Sequence, residues 1–147
     1  MDKLYEFIDQ GGINEINLKD WNVSDDTILH MAIARALILN YSNMDELIQN
    51  TEKQLIKAKD IMDSDFKNNR NRFIGRAVDK HISFMKSGKD WKLFSFDPTG
   101  GGNGAAMRNN CIGLAFFGEE NRDNLVRYAI DSSRMTHVNP IGWLGGL

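Results

Sequence analysis

Residues 24–39 read SDDTILHMAIARALIL, and the order of polar and apolar residues in them points to one kind of structure. Ser24 is a good N-cap, because its hydroxyl can accept a hydrogen bond from a backbone N–H that the first helical turn leaves free. Asp25 and Asp26 follow where the helix macrodipole favours negative charge. From Ile28 to Leu39 the apolar residues run almost without interruption around the helix, which predicts a helix buried on most of its sides.

The flanking segments follow the same period. Ser42 and Asn43 open a long helix carrying Leu47, Ile48, Leu55, Ala58 and Ile61 on one face, and Phe73, Ile74, Ala77, Ile82 and Met85 form another amphipathic stretch that ends at Gly88. Toward the N-terminus, Leu4, Phe7 and Ile8 lie at helical spacing before Gly11 and Gly12, and a polar connection then leads to Trp21. WKLFSF at 91–96 alternates, but one such piece without a partner makes no sheet. Three more helices are expected, over Ala105 to Phe117, over Arg122 to Ser133, and from Pro140 onward. No repeat or low-complexity tract interrupts the pattern. The chain is expected to be all-α and, at 147 residues, a single domain over 1–147.

Composition narrows the function classes. The chain is 41% hydrophobic and 26% charged, enough for a core. A formal net charge of −2 with no basic stripe argues against nucleic acid as a partner. Cys111 is the only cysteine, so no disulfide framework and no cysteine-based zinc site can form, and a reducing compartment fits. The opening MDKLYEFIDQGG lacks the apolar core of a signal peptide and no stretch reaches the length of a membrane span, so a cytoplasmic protein without a membrane partner is expected.

Three short stretches could carry chemistry. In WNVSDDT, 21–27, adjacent carboxylates flanked by hydroxyls offer hard oxygen ligands of the kind Mg²⁺ takes, although a capped helix with an acidic first turn has the same sequence. In TGGGNGAAMR, 99–108, four glycines stand before a helix, and a glycine-rich turn feeding a helix presents backbone N–H groups that suit phosphate; a plain surface loop is the alternative. It is not a Walker A loop, since Arg108 and Asn109 stand where Lys and Ser or Thr are needed, and no strand precedes it as a dinucleotide-binding turn requires. In RMTHVNP, 134–140, His137 sits between a helix end and Pro140, where it could cap a helix, complement the dipole or face a ligand. His30 and His81 lie inside helical stretches and are given no role.

SDDT with an apolar helix, then GNGAAMR with CIGL shortly after, then RMTH with Pro and Gly following, in this order, resemble the ADP-ribosylglycohydrolase family. The wording WNVSDDTILHMA, GGGNGAAMRNNCIGL and SSRMTHVNPIGWLGGL resembles its ADP-ribosylarginine hydrolase branch, from about Asp20 to the last residue. The resemblance implies an orthogonal helical bundle with two magnesium ions in a cleft that holds ADP-ribose. It further implies hydrolysis of the bond between the distal ribose and a protein side chain, here the arginine guanidinium. Ser24, Asp25 and Asp26 would be metal ligands, with Asp25 or Asp26 also orienting the attacking water. Gly102, Asn103 and Gly104 would cradle the diphosphate or the neighbouring ribose, and His137 would contact ADP-ribose from the facing loop. The family's opening Gly-Asp-Ala-x-Gly motif has no match in residues 1–20, and its closing Asp-x-Asp would lie beyond Leu147. The bundle is therefore expected to be incomplete at both ends. A complementary chain that supplies the missing helices is a partner this expectation allows, and an inactive ADP-ribose binder and a helical interaction module stay open as alternatives to an active hydrolase.

Overall fold

The computed structural model describes residues 5, 8, 9, 11, 22–67 and 73–147. The expected first helix falls mostly outside the described residues, as does Trp21; at its end, Gly11 has φ +93 and donates to the carbonyl of Ile8 (3.0 Å), so the chain turns at the glycine that the sequence marks. Among the described residues there are seven α-helices, two 3₁₀ turns and no strand. The helices are α1 (Asp25–Ile38), α2 (Met44–Lys67), α3 (Arg76–Lys86), α4 (Gly104–Arg108), α5 (Asn110–Ala115), α6 (Arg122–Arg134) and α7 (Pro140–Leu144). The alternating WKLFSF segment forms a 3₁₀ turn over Trp91–Leu93, with the Asp90 carboxylate accepting from the Lys92 amide (2.9 Å).

The core forms where α1 lies along α2, with α3 and α6 closing on α2 and the short α4 and α5 on α1. Leu29, Ile33 and Ala36 of α1 meet Leu47, Leu55 and Met62 of α2, joined by Ile82, Ile112, Tyr128 and Met135. Burying each large apolar side chain of this set contributes about 1.5–3 kcal/mol. Two polar ties run through it. Tyr128 on α6 shares a 2.6 Å hydrogen bond with the Thr51 hydroxyl, which itself donates to the Leu47 carbonyl (2.9 Å), and Lys59 pairs with Asp63 (2.5 Å) and Asp79 (2.8 Å) to pin α3 to α2.

Three expectations are corrected. First, α1 is buried along one face rather than on most sides: Leu29, Ala32, Ile33 and Ala36 are covered, while Met31, Ile38 and Leu39 are exposed, because the described neighbours all lie on one side of it. Second, the segment from Ala105 to Phe117 is two helices that meet at Asn109. The Asn109 amide donates to the Gly146 carbonyl (2.7 Å) and the Ser133 hydroxyl (2.9 Å), and holding these contacts breaks the helix there. Third, Ile61 is exposed and Met62 takes the core position beside it, while Phe73 precedes α3 and is exposed.

Candidate functional site

The acidic turn at the start of α1 and the glycine bend before α4 line one cavity of about 320 Å³, although about eighty residues separate them in the chain. Asp25, Asp26, Gly102, Asn103, Gly104 and His137 all face it. Of the residues singled out in the sequence, Ser24 alone is not in the lining. Its hydroxyl accepts from the Thr27 amide (3.3 Å) and lies 3.3 Å from the Thr27 hydroxyl, so it caps α1 as the sequence predicts.

The two aspartates differ. The Asp25 carboxylate accepts from the backbone amide of Gly75 (3.1 Å), which ties the start of α1 to the approach of α3. Asp26 has its pKa raised, first by burial and then by the neighbouring charge of Asp25, with Arg108 pulling the other way. A strained pair of carboxylates of this kind favours a cation beside it. As donors they fit magnesium in kind, being hard oxygens on a fixed helix turn, but Mg²⁺ takes about six oxygens and no group of three or more His, Cys, Asp or Glu converges among the described residues. Asp25 and Asp26 thus bring carboxylate oxygens to one side of the cavity, while Ser24 is engaged as the cap.

The opposite wall is backbone. Gly102 and Asn103 of this wall are exposed, and their N–H groups, like that of the adjoining Gly101, make no hydrogen bond among the described residues, so two free backbone donors belong to residues that line the cavity. His137 backs the bend. The residue is 2% exposed, its Nδ1 shares a 2.8 Å hydrogen bond with the Thr136 hydroxyl, and its Nε2 side faces the glycines. A Cβ at Gly102 would lie 3.6 Å from His137 Nε2, and one at Gly104 would lie 3.3 Å from its Cε1 and 3.7 Å from Asp26 Oδ1. Burial, with the positive charge of Arg108 next, pushes the His137 pKa down to about 4, so the ring is neutral near pH 7.

Several residues that shape the site carry no obvious mark in the sequence. Arg108 is fully buried and gives one N–H to the Ser132 carbonyl (2.8 Å); burial lowers its pKa to about 10, so it remains a cation. Gly142 lies under the bend, where a Cβ would stand 2.7 Å from the Gly100 carbonyl and 3.2 Å from that of Gly102. The proline-then-glycine spacing at 140–142 was the available signal for it. Asp97 and Asn139 hold the entry to the bend, and the DPTG sequence at 97–100 was the signal for that turn.

A sequence profile of the ADP-ribosylglycohydrolase family matches residues 3–147. The chain is 36% identical to ADP-ribosylhydrolase ARH1 of Dictyostelium discoideum over 151 residues, covering 97% of this chain and 36% of that protein. It is 32% identical to a protein of Acanthamoeba polyphaga mimivirus that is provisionally named an ADP-ribosyl glycohydrolase, covering 99% of this chain and 28% of that protein. The chain thus spans about a third of the length of these relatives. No described helix is long and apolar enough to cross a membrane.

Proposed function

The chain belongs to the ADP-ribosylglycohydrolase family, and on that basis we propose that it carries the ADP-ribose-facing part of a magnesium-dependent hydrolase that frees ADP-ribose from modified protein side chains, arginine among them. The observation that supports this reading is the shared cavity, lined by two carboxylates and by Gly102 and Asn103, whose amides make no hydrogen bond. Amides at a glycine bend suit a diphosphate, because several N–H groups can point at one anion with no side chain in the way. The carboxylates suit the other end of the same ligand, where the bond to the side chain is cut.

In this reading Gly102, Asn103 and Gly104 cradle the diphosphate, with the unpaired amides of Gly102 and Asn103 as donors, and His137, neutral and packed against the bend, fixes the adjoining ribose. Ser24, Asp25 and Asp26 would hold magnesium, which when bound lowers the pKa of water and polarises ribose hydroxyls. Asp25, held by the Gly75 amide, keeps the acidic turn in place. Asp25 or Asp26 takes the proton from the water that attacks the anomeric carbon. The new bond joins that water oxygen to the anomeric carbon, the bond from that carbon to the guanidinium nitrogen breaks, and the proton ends on the departing guanidine. The gain comes from holding water, sugar and base in one geometry.

A second reading is favoured by the short donor set around Asp25 and Asp26: this chain binds ADP-ribose without turning it over. One experiment separates the two. Release of ADP-ribose from ADP-ribosyl-arginine is followed with and without Mg²⁺, alongside calorimetry with ADP-ribose. Magnesium-dependent release supports the hydrolase. Binding without release supports the binder. Neither release nor binding removes both.

A further inference from the structure

We propose that Asp97 is a positioning residue, a clamp that fixes the glycine bend from its entry and so presents the free amides of residues 101–103 in one arrangement. What the bend binds rests on the glycohydrolase reading; the clamp does not.

The argument begins with what the bend lacks. Glycine loses more backbone freedom on ordering than any other residue, and the N–H groups of Gly101, Gly102 and Asn103 make no hydrogen bond; of the three residues only Asn103 is held through its carbonyl, which accepts from the Met107 amide (3.2 Å). Packing on His137 and Gly142 limits where the bend can lie, and hydrogen bonds reach it only at its ends. At the exit the chain enters α4 at Gly104. At the entry everything converges on Asp97. Its Oδ1 accepts from the Thr99 amide (2.9 Å) and the Thr99 hydroxyl (2.6 Å), and its carbonyl accepts from the Gly100 amide (3.0 Å). These bonds close a tight turn in which Pro98 supplies a preset φ.

The same residue reaches two other elements. Oδ2 accepts from Lys80 Nζ of α3 (2.8 Å), and the Asn139 side chain, whose Oδ1 caps α7 at the Ile141 amide (3.0 Å), donates to the carbonyls of Asp97 and Pro98 (3.4 Å each). One carboxylate thus joins the bend to α3, and one carbonyl joins it to the loop that carries His137. An exposed ion pair alone would contribute little. The Lys80 pair lies at the surface, but the Asp97 side chain is only 20% exposed and both its carboxylate oxygens are used, so its hold on the turn rests on the Thr99 bonds together with the ion pair. The Lys80 ammonium and the Thr99 donors hold its pKa well below the usual carboxylate range, so it stays ionised at any pH near neutral. Ligand affinity depends on such order, because a bend fixed before binding loses less entropy when the anion arrives.

The test uses the full chain without ligand. Backbone ¹⁵N order parameters are measured for residues 99–104 and for α1 and α2 in the parent protein, Asp97→Ala, Asp97→Asn and Lys80→Met, with ADP-ribose calorimetry in parallel. In the parent the bend should be nearly as ordered as the helices, at about 0.85, and in Asp97→Ala it should fall below about 0.6 while α1 and α2 stay unchanged. Asp97→Asn keeps the Oδ1 acceptor and should lose less, as should Lys80→Met, so either variant can be read if Asp97→Ala does not fold. ADP-ribose affinity should fall about tenfold with the order of the bend, or about 1.4 kcal/mol. An unaltered bend in these variants overturns the proposal, and so does an equal loss of order in α1 and α2. If the parent chain binds no ADP-ribose, the glycohydrolase reading falls, while the clamp is still decided by the order parameters.

Discussion

Gly104 and His137 stand so close that a Cβ on the glycine would lie 3.3 Å from Cε1 of the imidazole. The ring cannot retreat easily, being buried and bonded to Thr136. Gly104→Ala should therefore push the bend or the ring toward the cavity and weaken ADP-ribose about tenfold, or about 1.4 kcal/mol, and Gly104→Val should weaken it further. Calorimetry on both variants checks this, and an unaltered affinity in Gly104→Val would remove the bend from the binding site.

A harsher collision is expected at Gly142. Its Cβ would stand 2.7 Å from the carbonyl oxygen of Gly100 and 3.0 Å from His137 Cβ, and backbone cannot swing aside as a flexible side chain does. Gly142→Ala should cost about 1–3 kcal/mol, as overpacking in a well-filled region does. Urea denaturation of the two proteins measures the difference. A midpoint equal to that of the parent protein would mean the close approach is not maintained in solution.

The helical character of the chain and most helix positions were legible because period and capping are local: Ser24 caps α1 and the acidic turn follows, as its sequence states. The covering of α1 was not legible, since a sequence with apolar residues on every side does not say which neighbours exist to bury them. The break at Asn109 was hidden for a related reason. It depends on Gly146 and Ser133, which lie far along the chain, and local helix propensity carries no trace of them. At the site, the motifs named the cavity walls correctly, because glycines and carboxylates advertise their chemistry. Asp97 and Gly142 shape the same walls through distant partners, so the DPTG turn and the proline–glycine spacing mark the local geometry and not the contacts.

Asp26 should respond to magnesium in a way that separates a metal ligand from a helix cap. In the absence of metal, Asp26→Asn removes a carboxylate whose ionised form is disfavoured by burial and by Asp25, so stability near pH 7 should be unchanged or slightly higher. Magnesium should raise the melting temperature of the parent chain as a ligand of the native state does, and leave that of Asp26→Asn where it was. Calorimetric scans at several Mg²⁺ concentrations show the contrast. Equal shifts in both proteins would place the metal elsewhere.

The buried imidazole of His137 sets a pH dependence whose sign can be worked out. Its folded-state pKa is about 4, lowered by burial and then by the charges of Arg108 and His81, against an ordinary value of 6.5. Between those two values the unfolded chain binds the proton and the native chain does not, so stability falls as pH drops from about 6.5 toward 4 and is fully present above that window. The gap corresponds to at most about 3 kcal/mol, at 1.36 kcal/mol for each pH unit. Asp26, Glu52 and Asp131 have raised pKa values and pull the total curve the opposite way, so the wild-type curve alone does not isolate the histidine. His137→Gln removes its titration and leaves those carboxylates. The stability difference between the two proteins, from urea denaturation at pH 7.5, 6, 5 and 4.5, should move steadily in favour of the glutamine variant as pH falls. Parallel curves would mean that His137 takes up its proton in the folded chain as readily as in the unfolded one, and that the ring is not held neutral behind the bend.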